Sequence, residues 1–142
     1  QCQLMATSAG LEGRFFALLS DSETDAISRF DFHDPNIAIN NTAGENIANG
    51  LEDLFDRVIN YPIRYNELGE ALGDSGASNI TWTGTSPDGI RLDHTCSDWT
   101  SDSPEEYAFV GFAHLANAAW LQNQVQYCDA SNMQKHIYCL EQ

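Results

Sequence analysis

The hydrophobic positions of this chain come in short runs rather than long periodic stretches. Cys2, Leu4, Met5 and Ala9 recur across Cys2–Ala9, which predicts a short helix stopping at Gly10. Arg14-Phe-Phe-Ala-Leu-Leu19 is apolar on both faces and predicts a short buried strand. Ser20 followed by Glu23 has the pattern of a capping box, so a helix is expected from Ser20. It would place Ile27 and Phe30 on one face, with Asp21, Glu23 and Asp25 in its first turns, where the helix dipole favours negative charge. Asp31 to Thr42, with Pro35, is polar and turn-rich. Leu51, Leu54 and Phe55 share an i, i+3, i+4 face, which predicts a second short helix over Asn49–Phe55. Gly69 to Ser78 has the composition of a mobile loop. Asn79-Ile-Thr-Trp-Thr-Gly84 alternates as a strand, and Ser86-Pro-Asp-Gly89 is a turn signature. The C-terminal third holds aromatic and small residues in short runs and closes with a strand over Ile137-Tyr-Cys-Leu140. Short helices mixed with short strands indicate an α+β fold rather than a βαβ series. No linker or repeat divides the chain, so a single domain over residues 1–142 is expected.

Charge narrows the function. Six Lys+Arg against 21 Asp+Glu give a net charge of −15, and Lys135 is the sole lysine. With 42% hydrophobic and 11% aromatic residues, the chain is a globular protein rather than a disordered acidic tail. A nucleic-acid-binding protein needs a basic stripe, which six scattered cations do not supply. A polybasic membrane anchor is excluded for the same reason. Tyr107 to Cys128 carries no charge, but His114, Asn117, Gln122, Asn123, Gln124 and Gln126 interrupt it, so membrane insertion is not expected.

Four cysteines, Cys2, Cys96, Cys128 and Cys139, allow three pairings. None lies at zinc-knuckle spacing, and His33, His94, His114 and His136 form no short ligand pair, so disulfides and an oxidising compartment are favoured. The start at Gln1-Cys2, without methionine, fits a product processed on export. The nested pairing Cys2–Cys139 and Cys96–Cys128 is favoured over the other two. It would tie the termini together and close a smaller loop, contributing about 5 and roughly 3–4 kcal/mol respectively in the chain-entropy model.

Catalytic signatures are scarce. There is no Gly-x-Ser-x-Gly, no phosphate-binding glycine loop before a lysine, and no His-Glu-x-x-His. Asp21, Glu23 and Asp25 fail as a calcium loop, because Ala26 and Phe32 stand where glycine and the closing glutamate are needed. Asp98, Asp102, Glu105 and Glu106 cluster between two cysteines and are the candidates for a weak Ca²⁺ site; no other cofactor is expected. Glu105, Glu106 and Asp102 are also the carboxylates a hydrolase would use, although a solvated acidic surface is the better reading of all four. His114 reads as a satisfied, partly buried histidine. Asn40 and Asn79 head glycosylation sequons, and Asn40, in the polar stretch, is the better acceptor.

Several segments resemble a known family. Thr81-Trp-Thr-Gly-Thr-Ser-Pro-Asp-Gly-Ile-Arg-Leu-Asp-His-Thr-Cys-Ser-Asp-Trp-Thr100 is similar to the Trp-x-Gly, Gly-Arg-Leu and Cys-x-x-Trp pattern of endostatin domains. Cys2 with Ala9-Gly-Leu-Glu-Gly-Arg-Phe-Phe-Ala-Leu-Leu-Ser20 resembles the opening of that family. Leu51-Glu-Asp-Leu-Phe55 resembles its tryptophan-containing helix, with Leu51 in place of Trp. Cys128 with Ile137-Tyr-Cys-Leu-Glu141 resembles its closing cysteine pair, and the wording is closer still to bacterial secreted versions. The resemblance spans nearly the whole chain. It implies a C-type-lectin-like fold and the nested disulfides, with Trp82 and Trp99 as core aromatics. It does not bring heparin, because Arg14, Arg29, Arg57, Arg64 and Arg91 make no basic surface on a −15 chain. Nor does it bring zinc or the calcium-dependent sugar motifs of true lectins, whose residues are missing.

The expected function is therefore that of a secreted, non-enzymatic module at the cell surface or outside it. One version recognises an extracellular protein or a glycan in adhesion. The other packs against copies of itself in a layer or fibre, which suits a chain carrying no flanking domain, although −15 charges would first have to be screened.

Overall fold

The computed structural model describes residues 1–73, 76–129 and 135–142. Helix α1, Cys2–Ser8, sits where the apolar spacing puts it, and the chain reverses at Gly10 in the left-handed region. Strand β1, Phe15–Ala17, is the centre of the predicted strand and pairs antiparallel with β8, Cys139–Glu141, so the two ends of the chain lie side by side. Helix α2, Leu51–Leu54, is likewise the centre of its predicted segment.

The helix expected from Ser20 does not form. The Ser20 hydroxyl bonds Thr85 Oγ1 at 2.9 Å and accepts from the amide of Ala26, six residues on, at 2.9 Å, rather than from the amides two or three residues on that a helix starting at Ser20 would offer. Asp21 Oδ1 accepts from the amides of Glu23 and Thr24, making an Asx turn that competes with a helical start. Only a 3-10 turn, Ala26–Arg29, follows, and it still delivers Phe30 to the core. The polar stretch after Asp31 is also not all turn. Strand β2, Ala38–Asn40, pairs antiparallel with β3, Asn46–Asn49, around a turn in which Asn41 Oδ1 accepts from Ala43 and Glu45 amides. Of the expected loop Gly69–Ser78, Asp74 and Ser75 lie outside the described residues, while Ala71 bridges to Tyr65 and a 3-10 turn spans Gly76–Asn79.

The largest sheet has the order β6-β5-β4-β7, where β4 is Ile80–Trp82, β5 Tyr107–Phe112, β6 Gln124–Tyr127 and β7 His136–Ile137. It is mixed: β4 and β7 run parallel and the other neighbours antiparallel. The single closing strand expected over Ile137–Leu140 is split between β7 and β8, because Tyr138 turns inward and donates its hydroxyl to Trp120 O at 2.9 Å. Burial pushes that phenol's pKa upward, so it stays neutral at any ordinary pH.

Trp120 is fully buried at the centre of the main core, with Leu18, Phe30, Ile47, Leu54, Phe55, Leu121 and Tyr138 around it. Its backbone lies against β5 at Gly111, where an added Cβ would stand 1.8 Å from Trp120 O. A second, smaller core forms from Cys96, Ala108 and Cys128, covered by half-buried Trp82 and Trp99. Both disulfides have the nested pairing, Cys2–Cys139 and Cys96–Cys128. The protein is thus a small α+β fold with short helices, small mixed sheets and two disulfides. No helix among the described residues is long and apolar enough to cross a membrane.

Candidate binding face

The Cys96–Cys128 disulfide anchors one end of β6 to an unusual turn. Cys96, Ser97, Asp98 and Trp99 all have positive φ, between 49° and 65°, making one left-handed helical turn over Cys96–Trp99 without a glycine. Such a turn costs roughly 1–2 kcal/mol per residue, so other contacts must hold it. Thr95 Oγ1 accepts from the Asp98 amide at 3.3 Å. The Asp98 carboxylate accepts from the Ser22 amide at 2.7 Å and the Ser22 hydroxyl at 2.6 Å. Trp99 Nε1 donates to Ser20 O at 2.9 Å, and its ring meets Trp82 edge-on at 5.9 Å between centroids. Gly84 lies under Trp99, where a Cβ would stand 2.8 Å from the indole ring.

The Ser22 hydroxyl, then the Ser22 amide, hold the Asp98 carboxyl below the ordinary carboxylate range. A depressed carboxyl pKa stabilises the fold above the unfolded value of about 3.9, and that contribution is lost as pH falls through the folded value. Asp98→Asn is accordingly expected to lower the Tm at neutral pH and to reduce the loss of stability below about pH 4. Thermal melts of both proteins across acid pH check this; parallel acid limbs would show that Asp98 is not the group responsible.

Beyond this turn, β5 and β6 present two different faces. Ala108 and Val110 point inward and are fully buried. Tyr107 and Phe109 point outward, opposite Tyr127 and Val125 respectively in the register. Tyr107 is 37% exposed, Val125 44% and Tyr127 62%, so the outward face is a solvent-facing apolar strip. The His94 ring stacks on it, 4.3 Å from Tyr107 and 6.0 Å from Phe109 between centroids. At the Tyr107 end the strip runs into a cleft of about 370 Å³ lined by Asp93, His94, Ser97, Glu105, Glu106 and Tyr107 among others. Ser97 Oγ donates to Glu106 Oε2 at 2.8 Å, while the Asp93 and Glu105 side chains are exposed and, among the described residues, have no hydrogen bond or ion pair.

Lys135 works on the opposite side. Its ammonium sits 4.1 Å from the centroid of the Trp82 ring and donates to Tyr127 O at 2.9 Å. Burial lowers its pKa, partly offset by the Asp129 carboxylate. The amide of Cys128 bonds the carbonyl of Glu106, the residue before β5, so by antiparallel alternation Tyr127 O is an outward-pointing edge group of β6. The only lysine therefore occupies part of the open edge of this sheet.

Of the four acids expected as a weak calcium site, Asp98, Glu105 and Glu106 line the cleft beside Tyr107, and Asp102 is exposed. Asp98 is committed to Ser22 and Thr95, Glu106 to Ser97, and Asp102 and Glu105 stand exposed without side-chain partners among the described residues. Among the described residues no three His, Cys, Asp or Glu side chains form a group that would hold a metal ion. Asn79, a sequon residue, is fully buried, and its Nδ2 donates to Gly73 O and Ser78 Oγ. Attaching a glycan there would break the start of β4. Asn40 is exposed at the end of β2 and accepts from Asn46 Nδ2 at 3.2 Å. His114 is partly buried as expected and stacks on Phe112, but among the described residues its Nδ1 has no hydrogen-bond partner. Trp82 and Trp99 are half-buried core residues of the smaller cluster. No protein-family model matches this sequence, and no curated protein matches it either.

Proposed function

We propose that this chain is a secreted, non-enzymatic recognition module of the endostatin-like, C-type-lectin-like kind, and that it binds its ligand on the outward face of β5 and β6. The observation that carries this reading is the aromatic strip itself. Tyr107, Phe109, Val125 and Tyr127 are held in register on a rigid two-stranded surface, and the Cys96–Cys128 disulfide fixes its end. Exposed aromatics on a rigid support lose little conformational entropy on binding, which is why they anchor recognition surfaces. The two disulfides support an oxidising, extracellular setting. The nested pairing is also the one the endostatin resemblance implies.

Recognition is favoured over self-assembly by two features. Lys135 occupies an outward carbonyl of β6, and copies carrying −15 charges each repel one another. Light scattering at low and high ionic strength, with and without Ca²⁺, is expected to show a monomer throughout; oligomers growing with salt would favour a structural subunit. For recognition itself, array binding to extracellular proteins and glycans should yield a ligand whose binding is lost in Tyr127→Ala and kept in Tyr61→Ala. Tyr61 is exposed at a different position in the chain. Equal binding by both variants would overturn the assignment of the face.

A further inference from the structure

We infer that the partner of this face is a cationic, arginine-bearing peptide segment of another protein, an inference that rests on the recognition reading above. The first support is the way this chain spends its own cations. Arg14 lies over the Phe16 ring at 5.4 Å, Arg64 over Tyr65 at 5.6 Å and Lys135 over Trp82 at 4.1 Å. Arg29 and Arg57 are paired with Asp21 and Asp88. Five of the six cations are thus matched within the chain, three of them on aromatic rings. Among the described residues, no Lys or Arg of this chain lies over Tyr107 or Tyr127.

The second support is the surroundings of those two rings. Tyr107 shares its cleft with Asp93 and Glu105, whose carboxylates have no partner among the described residues. Asp129, exposed two residues after Tyr127, already acts on Lys135, so the open carboxylates beside the rings are Asp93 and Glu105. A guanidinium placed on a Tyr face and reaching a free carboxylate gains cation–π attraction and a charge-assisted hydrogen bond together. A strand has side chains on one face about every 6.6–6.8 Å, so alternate residues of an extended segment would meet successive points on the strip. The long-range field of a −15 protein draws such a segment in. The segment lies across the face rather than adding to the edge, because Lys135 holds the Tyr127 carbonyl. A neutral ligand would use the rings but leave Asp93 and Glu105 unanswered, and a second copy would bring its own carboxylates against them.

The test is calorimetric titration of the disulfide-intact protein with three probes: a peptide alternating Arg and Ser, the same peptide with Glu for Arg, and a neutral glucose oligosaccharide. The Arg peptide is expected to bind, with Asp93, Glu105, Tyr107, Val125 and Tyr127 showing the largest NMR shift changes. Tyr127→Ala and Glu105→Gln should each weaken it at least about fivefold, equivalent to roughly 1 kcal/mol, a common size for one cation–π contact or one exposed charge-assisted bond. Tyr127→Phe should retain binding, and unchanged Tm values would show that the variants fold. Binding should fall as the Debye length shrinks from about 30 Å at 0.01 M salt to about 3 Å at 1 M. If the Arg peptide binds wild type and both variants alike, the attraction is diffuse and the inference fails. If only the oligosaccharide binds and Tyr127→Ala abolishes it, the cationic partner fails while the recognition face stands. If no probe depends on Tyr127, both fall.

Discussion

Gly111→Ala is expected to destabilise the protein by about 3 kcal/mol or more, beyond the usual overpacking range of roughly 1–3 kcal/mol. The new Cβ would lie 1.8 Å from Trp120 O, 2.4 Å from Trp120 C and 2.9 Å from the Leu121 nitrogen, all of them backbone atoms that no side-chain rotation can clear. Gly111 is itself fixed between strands, opposite Thr81 in β4, so β5 cannot retreat without loosening the main sheet. Trp120 must therefore move. It is the largest fully buried side chain, and its carbonyl also receives the Tyr138 hydroxyl, so displacement costs packing and a hydrogen bond worth about 0.5–1.5 kcal/mol. Against a typical total of about 5–15 kcal/mol, this removes a large share of the stability. Urea unfolding followed by tryptophan fluorescence measures it, and a midpoint within error of wild type would show that β5 and the 3-10 turn Ala118–Trp120 are not pressed together as described.

That contact was invisible to pattern reading, and the reason is general to this fold. Gly111 stands in Tyr107–Phe112, where Tyr107 and Phe109 alternate with Ala108 and Val110. Both faces are apolar, so the period of two that marks a half-buried strand is absent, and with it the outward aromatic strip. The β2–β3 hairpin was hidden differently: Asn40, Asn46 and Asn49 have low strand propensity and read as turn, while buried Ile39, Ile47 and Ala48 override them through tertiary packing. Ser20 and Glu23 satisfied a local capping rule, yet the hydroxyl found Thr85, 65 residues away. The left-handed turn at Cys96–Trp99 lacks the glycine that would announce it. What was legible had a local cause: α1 from its spacing and Gly10, α2 from Leu51 and Leu54, β4 from its alternation. The cysteines were the exception, four residues whose nested pairing is a long-range fact that number and placement alone made a short choice.

The two disulfides are expected to differ in what they protect. Removing Cys2–Cys139 with paired alanines should cost about 5 kcal/mol in the chain-entropy model, because the bond closes a loop with a sequence separation of 137. Removing Cys96–Cys128, with a separation of 32, should cost less than the model's roughly 3–4 kcal/mol. The second bond holds a four-residue left-handed turn, and releasing it lets Cys96–Trp99 relax toward ordinary φ values, recovering part of the strain. Function should follow the opposite order. Cys2–Cys139 joins α1 to β8 at the paired ends of the chain, where Leu18 N bonds Tyr138 O and Gln142 N bonds Arg14 O. Its loss leaves β5, β6 and the aromatic strip in place as long as the protein is folded. Loss of Cys96–Cys128 frees the end of β6, lets Trp99 leave Trp82, and reshapes the cleft beside Tyr107 while the Trp120 core survives. Denaturant midpoints and NMR spectra of the two double variants test this together. The expected result is the lower midpoint for Cys2→Ala/Cys139→Ala and the larger shift changes at Tyr107 and Tyr127 for Cys96→Ala/Cys128→Ala. A lower midpoint for the second variant would mean that the turn is relaxed rather than strained, and that the disulfide supports the main core as well as the binding face.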